Sequence, residues 1–263
     1  MAYLRGKGAR QVDEFSGKAA VWNYGKEELL VPLATRFADY AARMADILSA
    51  LERVEDRSQL QIMTDLQNSG YDVVRVRNVS EDTRAGTLNF MRSVDFVAQM
   101  RDLLLAAACS AATHKISYPG RKPQDAERFM DSVRFGQTVQ GSFVLQILSP
   151  VVPELHTRES LIDLPEELPY ERRVIPTLQS GLEALNTAVQ QASNDTNLDH
   201  FQQAAPQGLT TNLCDALAGL YDSLKPQYIE FSITYSVNRQ HTCPLARISV
   251  DAGYIPLIRE ASA

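Results

Sequence analysis

Residues 229–237 read IEFSITYSV and residues 246–250 read ARISV. In the first stretch Ile229, Phe231, Ile233, Tyr235 and Val237 alternate with Glu230, Ser232, Thr234 and Ser236. In the second, Ala246, Ile248 and Val250 alternate with Arg247 and Ser249. A two-residue period puts each set of side chains on its own face of a β-strand, so the pair predicts a hairpin with one buried and one wet face. Just before it, Leu213, Leu217, Leu220, Tyr221 and Leu224 keep helical spacing over about 210–224, and Lys225-Pro226 stops that helix. A final helix is expected at about 253–261.

Working back from this hairpin, Ile175, Leu178, Leu182, Leu185 and Val189 form the apolar stripe of a helix at about 172–193. Residues 142–148 hold almost no polar side chain and predict a buried strand rather than an edge. Pro123 suits the first position of a short helix running to about Val133. A helix at about 94–113, capped by Ser93, is apolar all round in its second half, as a central core helix would be. Tyr71–Val79 reads as a strand rich in β-branched residues, with Thr87–Met91 as its partner across the polar turn Ser80–Arg84. Ser58 with Gln61 forms a capping box for a helix at about 59–69, and Gly70 fits its C-terminal cap. Leu29, Leu33, Phe37, Tyr40, Met44, Ile47, Leu48 and Leu51 predict an amphipathic helix within 26–54, its regular part starting near Pro32.

The fold these elements predict is α+β: long helices packed on a mostly antiparallel sheet, built from hairpins at about 72–91 and 227–250 plus the buried strand 142–148. Strands that come in adjacent pairs disfavour a doubly wound parallel sheet. The order helix, strand, strand, helix at 59–113 recurs at 210–261, although few side chains match between the two. Residues 1–150 carry 19 basic and 18 acidic side chains, against 7 and 14 in residues 151–263. Pro153, Pro165 and Pro169 punctuate the acidic stretch Glu154–Glu171. A division into 1–150 and 151–263 follows, with a long surface excursion inside one domain as the alternative.

The whole chain has 263 residues, 44% hydrophobic and 22% charged, with a net charge of −6, a composition that excludes disordered and collagen-like classes. Its longest apolar run, Leu103–Cys109, is far short of the ~20 residues a membrane span needs, so no membrane association is expected. The N-terminal MAYLRGKGAR is not followed by the apolar segment of a secretory signal, which points to the cytoplasm. Cys109, Cys214 and Cys243 are odd in number and widely spaced, as reduced thiols would be. The ratio of 20 Arg to 6 Lys suggests a bacterial source with a GC-rich genome.

The sequence contains no P-loop, no Gly-x-Gly-x-x-Gly after a strand and no Gly-x-Ser-x-Gly elbow. The four histidines stand apart, and only His241-Thr242-Cys243 brings two metal-binding side chains together, so neither a metal nor a cofactor is expected. Glu27-Glu28, Glu166-Glu167 and the group Asp125, Glu127 and Asp131 read as solvated charges, and no catalytic residue is assigned. The most suggestive patch is Lys115, Arg121, Lys122, Arg128 and Arg134 with Tyr118, in which a turn would offer cations and a stacking ring ahead of a helix N-terminus. Arg75 and Arg77, on the wet face of the Tyr71–Val79 strand, would extend it. The preferred expectation is a non-enzymatic accessory subunit that binds a protein partner or its own copies within a multi-protein system such as phage defence. The alternative is a nucleic-acid- or nucleotide-binding component using segment 114–134. An enzyme with an unrecognised site would instead show a deep pocket lined by convergent polar groups.

Overall fold

A computed structural model describes residues 1–80, 83, 86–136, 143–152, 168–236 and 246–262. These residues form two compact units. One holds residues 1–71 together with 151–152 and 236; the other holds the rest. The structure is α+β, with a three-stranded and a five-stranded antiparallel sheet among the described residues.

In the smaller unit a short helix α1 (Ala2–Gly6) precedes a meander of β1 (Arg10–Phe15), β2 (Ala19–Tyr24) and β3 (Glu27–Pro32). Helices α2 (Tyr40–Glu55) and α3 (Gln59–Gln67) follow. The register sets Ala20 opposite Val31 and Trp22 opposite Leu29, which puts all four side chains on one face. That face forms a core with Ile47, Leu48 and Leu51 of α2 and Ile62 of α3. Gly25 (φ +61°) takes the left-handed conformation in the tight turn between Tyr24 and Glu27. The helix expected within 26–54 is therefore half wrong: residues 27–32 are a strand and the helix starts only at Tyr40. Leu29 fits a helical step to Leu33 and a strand step to Val31 alike, and pairing with β2 decides between them.

Glu55 ties the two ends of this unit together. Its carboxylate accepts from the Tyr3 hydroxyl at 2.7 Å and pairs with Lys7 at 3.3 Å and Arg57 at 3.1 Å, and Arg57 also reaches Asp65 at 2.6 Å. The capping box at α3 is present as the sequence predicts: Ser58 Oγ accepts from Gln61 N–H, and Gln61 Oε1 accepts from Ser58 N–H at 3.3 Å. Gly70 is not its C-cap; Asn68 is. Ser58→Ala is expected to cost about 1 kcal/mol of stability. Denaturant unfolding followed by hydrogen exchange over 59–67 would measure it, and no loss would show that water replaces the cap.

The larger unit is built on β4 (Tyr71–Val79), β5 (Arg134–Phe135), β6 (Val144–Pro150), β7 (Tyr228–Thr234) and β8 (Ala246–Asp251), in the order β5-β6-β4-β7-β8. Its helices are α4 (Phe90–Ala112), α5 (Gln124–Ser132), α6 (Tyr170–Asp195), α7 (Asp199–Gln203), α8 (Thr211–Leu224) and α9 (Ile255–Ser262). The β7–β8 hairpin and the buried strand β6 are present as predicted. The hairpin at 72–91 is absent. β4 pairs instead with β7, from Val73 opposite Thr234 to Val79 opposite Tyr228, while Asn89 caps α4 and starts it at Phe90. Without a strand at 87–91 the repeated order of elements also disappears.

The register places Val74 and Val76 beside Ile233 and Phe231, and these in turn beside Ala246 and Ile248. Together with Leu145 and Ile147 they form the sheet side of the main core, filled from the helices by Phe96, Leu103, Leu178, Leu182, Leu217 and Leu220. Tyr221 of α8 bridges the hairpin from below: its hydroxyl donates to the Val250 carbonyl and accepts from Ile229 N–H at 3.1 Å. Helix α6 is fixed at two points. A Cβ on Gly181 would lie 2.9 Å from the Gly208 carbonyl oxygen, so only glycine lets these two backbones approach. Near the start of the helix, Arg172 makes an ion pair with Asp72 of β4; both side chains are buried, and the guanidinium carbon lies 5.5 Å from the Tyr235 ring centre. The Tyr235 hydroxyl donates to Gln179 Oε1 at 2.6 Å, and Gln179 reaches Glu183 at 2.9 Å.

Residues 153–167, most of the proline-punctuated acidic stretch, lie outside the described residues. β6 before them and α6 after them belong to the same unit.

Candidate functional site

Part of the basic turn after α4 helps to hold the fold. Tyr118 is only 6% exposed and belongs to the core. Its hydroxyl donates to the Thr113 carbonyl and accepts from Lys115 N–H at 3.1 Å, and its own N–H donates to Asn212 Oδ1 of α8 at 2.7 Å. The Lys122 ammonium donates to the Tyr118 carbonyl. The structure thus places the Tyr118 ring in the core rather than on the surface of the turn. Asp125 and Glu127 already occupy the first turn of α5, where a bound anion would otherwise complement the helix dipole. Arg128 pairs with Asp125, and Arg134 donates to the carbonyls of Asp131 at 3.1 Å and Val133 at 3.4 Å. Lys115 and Arg121 are exposed on the same turn.

Arg75 and Arg77 do not join this group. Val74 and Val76 face the core, to which Phe129 of α5 also belongs, so Arg75 and Arg77 stand on the opposite face of the sheet. There Arg77 lies across from Glu230, Arg75 donates to Thr234 Oγ1 at 3.3 Å, and Arg247 comes within 3.8 Å of Glu230.

His241 and Cys243 lie outside the described residues, and among those described no three metal-binding side chains cluster. Burial pushes the Cys109 thiol up and the Cys214 thiol up to about 12, which keeps both protonated and unreactive near neutral pH. A polar recess of about 290 Å³ is lined by Thr187, Gln191, His200, Gln203 and Gln207. In it His200 Nε2 meets Asp195 Oδ2 at 2.7 Å. That contact, with Asn197 N–H, holds the Asp195 carboxyl below its usual range. The Thr187 hydroxyl donates to the Glu183 carbonyl at 3.1 Å, and the His200–Asp195 contact ties α7 to the C-terminal end of α6.

The surface that stands out is on α4. Phe90 is 77% exposed, Met91 65%, Val94 50% and Val97 45%, although each is a large apolar side chain. Phe90, Val94, Val97 and Arg101 recur at steps of four, three and four residues, so they stand in one line along the helix. The line ends in an open recess of about 130 Å³ between α4, α5 and the strands β5 and β6. Val97, Met100 and Leu104 form one wall, Met130 and Val133 another, and Phe135, 60% exposed on the edge strand β5, stands at the rim. Arg101 and Arg134 also line it. Arg101 pairs with Asp102 at 2.7 Å, which gives the apolar strip a charged border. The sequence pattern hides this site when 87–91 is taken as a strand, because Phe90 and Met91 then fall outside the helix; a helical count from Asn89 recovers it.

No helix among the described residues is long and apolar enough to cross a membrane. Comparison with protein-family models, with curated proteins and with solved structures returns no match for this chain.

Proposed function

We propose that this protein is a non-enzymatic interaction subunit that docks protein through the exposed face of α4 and the recess at its end. The observation that carries this reading is the row Phe90, Met91, Val94 and Val97, continued by Phe135. Scattered exposed hydrophobics are ordinary, but a contiguous apolar strip with a polar border is the anatomy of a docking surface. Leaving it in water costs about 25 cal/mol for each Å² of apolar area, which a partner recovers on binding.

The test is purification of the tagged full chain from its own cells, with and without nuclease, followed by mass spectrometry. A nuclease-resistant protein partner is expected, lost with Val94→Glu plus Val97→Glu and kept with the control Leu60→Glu on α3. A partner that the α4 substitutions leave in place would place the docking surface elsewhere.

The sheet face opposite the core favours a second reading, nucleic-acid binding, because Arg75, Arg77 and Arg247 share it with Glu230. It requires affinity that falls steeply with salt. Loss on Arg77→Glu with Arg247→Glu would locate binding on the sheet, and loss on Arg121→Glu with Lys122→Glu on the turn after α4. Salt-independent or absent binding would remove this reading.

A further inference from the structure

We infer that the occupant of the α4 face is a second copy of this chain, paired antiparallel through α4; the inference rests on the reading of that face as a docking surface. A two-fold interface must be self-complementary, so that residue i meets residue j and j meets i. The α4 line has this property. A protruding apolar end, Phe90 with Met91, and an apolar recess beside Arg101 lie on one face of one helix. Eleven residues separate Phe90 from Arg101, about 16 Å of helix at 1.5 Å per residue.

An axis crossing α4 between residues 95 and 96 sets Val94 against Val97 of the second copy. The same axis sets Phe90 over Arg101 of the second copy, at the mouth of its recess. The contact is then made twice. Each ring covers Val97 of the opposite copy, and the Arg101 guanidinium meets the ring face in a cation–π contact. Phe90, Met91, Val94, Val97 and Phe135 from both copies offer apolar area on the order of 1,000 Å², the lower range of specific interfaces. A heterologous partner has no need of a knob and a hole at matched positions on the same helix.

Sedimentation velocity of the purified full chain across the micromolar range tests this. The expected species has twice the 29.2 kDa mass of one chain. Phe90→Asp, at a side chain 77% exposed, should leave the circular dichroism spectrum unchanged while weakening self-association at least about thirtyfold. Register is read independently: a chain carrying Val94→Cys mixed with one carrying Val97→Cys should form the mixed disulfide faster than either forms its own. A monomer at every concentration, or a dimer indifferent to Phe90→Asp, overturns the inference. If a monomeric chain still captures a protein that is lost with Val94→Glu plus Val97→Glu, self-pairing fails and the docking reading stands. If a monomeric chain captures a protein that those substitutions leave in place, both fail.

Discussion

Arg172→Ala should lower the stability of the larger unit by about 3–5 kcal/mol, the loss typical when one member of a buried ion pair is removed. Arg172 is 2% exposed and its partner Asp72 is 0% exposed, so the truncation takes the guanidinium from a carboxylate held out of water. It also takes a cation from the face of the Tyr235 ring. In a unit of this size the melting temperature should fall by roughly 10 °C. The opposite treatment gives the sharper result. Replacing both charges, Arg172→Met with Asp72→Leu, removes the desolvation cost of each and should recover most of the loss. Thermal and denaturant unfolding of the two variants checks both statements. An Arg172→Ala protein within 1 kcal/mol of wild type, or a double variant no better than the single, would show that water reaches the pair.

Trp22→Ala should cost the smaller unit about 3–5 kcal/mol, as large aromatic truncations in cores do. Trp22 is 1% exposed and packs on the face that carries Ala20, Leu29 and Val31. Trp22→Phe should cost much less, about 1–2 kcal/mol, for a reason visible in the packing. The indole N–H is buried without a hydrogen-bond partner, and phenylalanine removes this orphan donor while keeping most of the apolar ring. Hydrogen exchange on peptides from 19–32 and 40–55 reports on this unit directly. Equal losses for the two variants would mean that a contact only the indole makes, and not ring volume, governs the site. Trp22 is also the only tryptophan of the chain, so wild-type fluorescence follows this unit, whereas circular dichroism follows the whole protein.

Where periodicity is local, the sequence could be read. β7, β8, α3, α6 and α8 each carry a complete pattern within one segment, and the structure places all five close to where that pattern lies. β1 escapes because all six of its residues are exposed, so it has no buried face for an alternation to mark. The partner of β4 escapes for a different reason. Pairing between Val73 and Thr234 leaves no trace in the residues next to either, and a nearby β-rich stretch looks like the natural neighbour. The candidate site failed at a cap. Ser93 and Asn89 are both good N-caps by residue type, and choosing Ser93 cut Phe90 from its helical line. Tyr118 misleads because a Tyr-Pro-Gly turn looks exposed until Asn212, 94 residues away, takes its N–H.

The pairing of β4 with β7 also sets a timetable for synthesis. The ribosome completes β4 at Val79 and must add roughly 150 more residues before β7 begins at Tyr228. At about 5–20 residues per second, this takes on the order of 10–30 s. β6 is made earlier in that interval and can close one side of β4, but the other edge of a valine-rich strand stays open throughout. Open apolar edges of this kind recruit other chains. The yield of folded protein should therefore depend on translation speed and on chaperones that bind extended apolar segments, and slowing elongation between residues 80 and 227 should lengthen the exposure rather than relieve it.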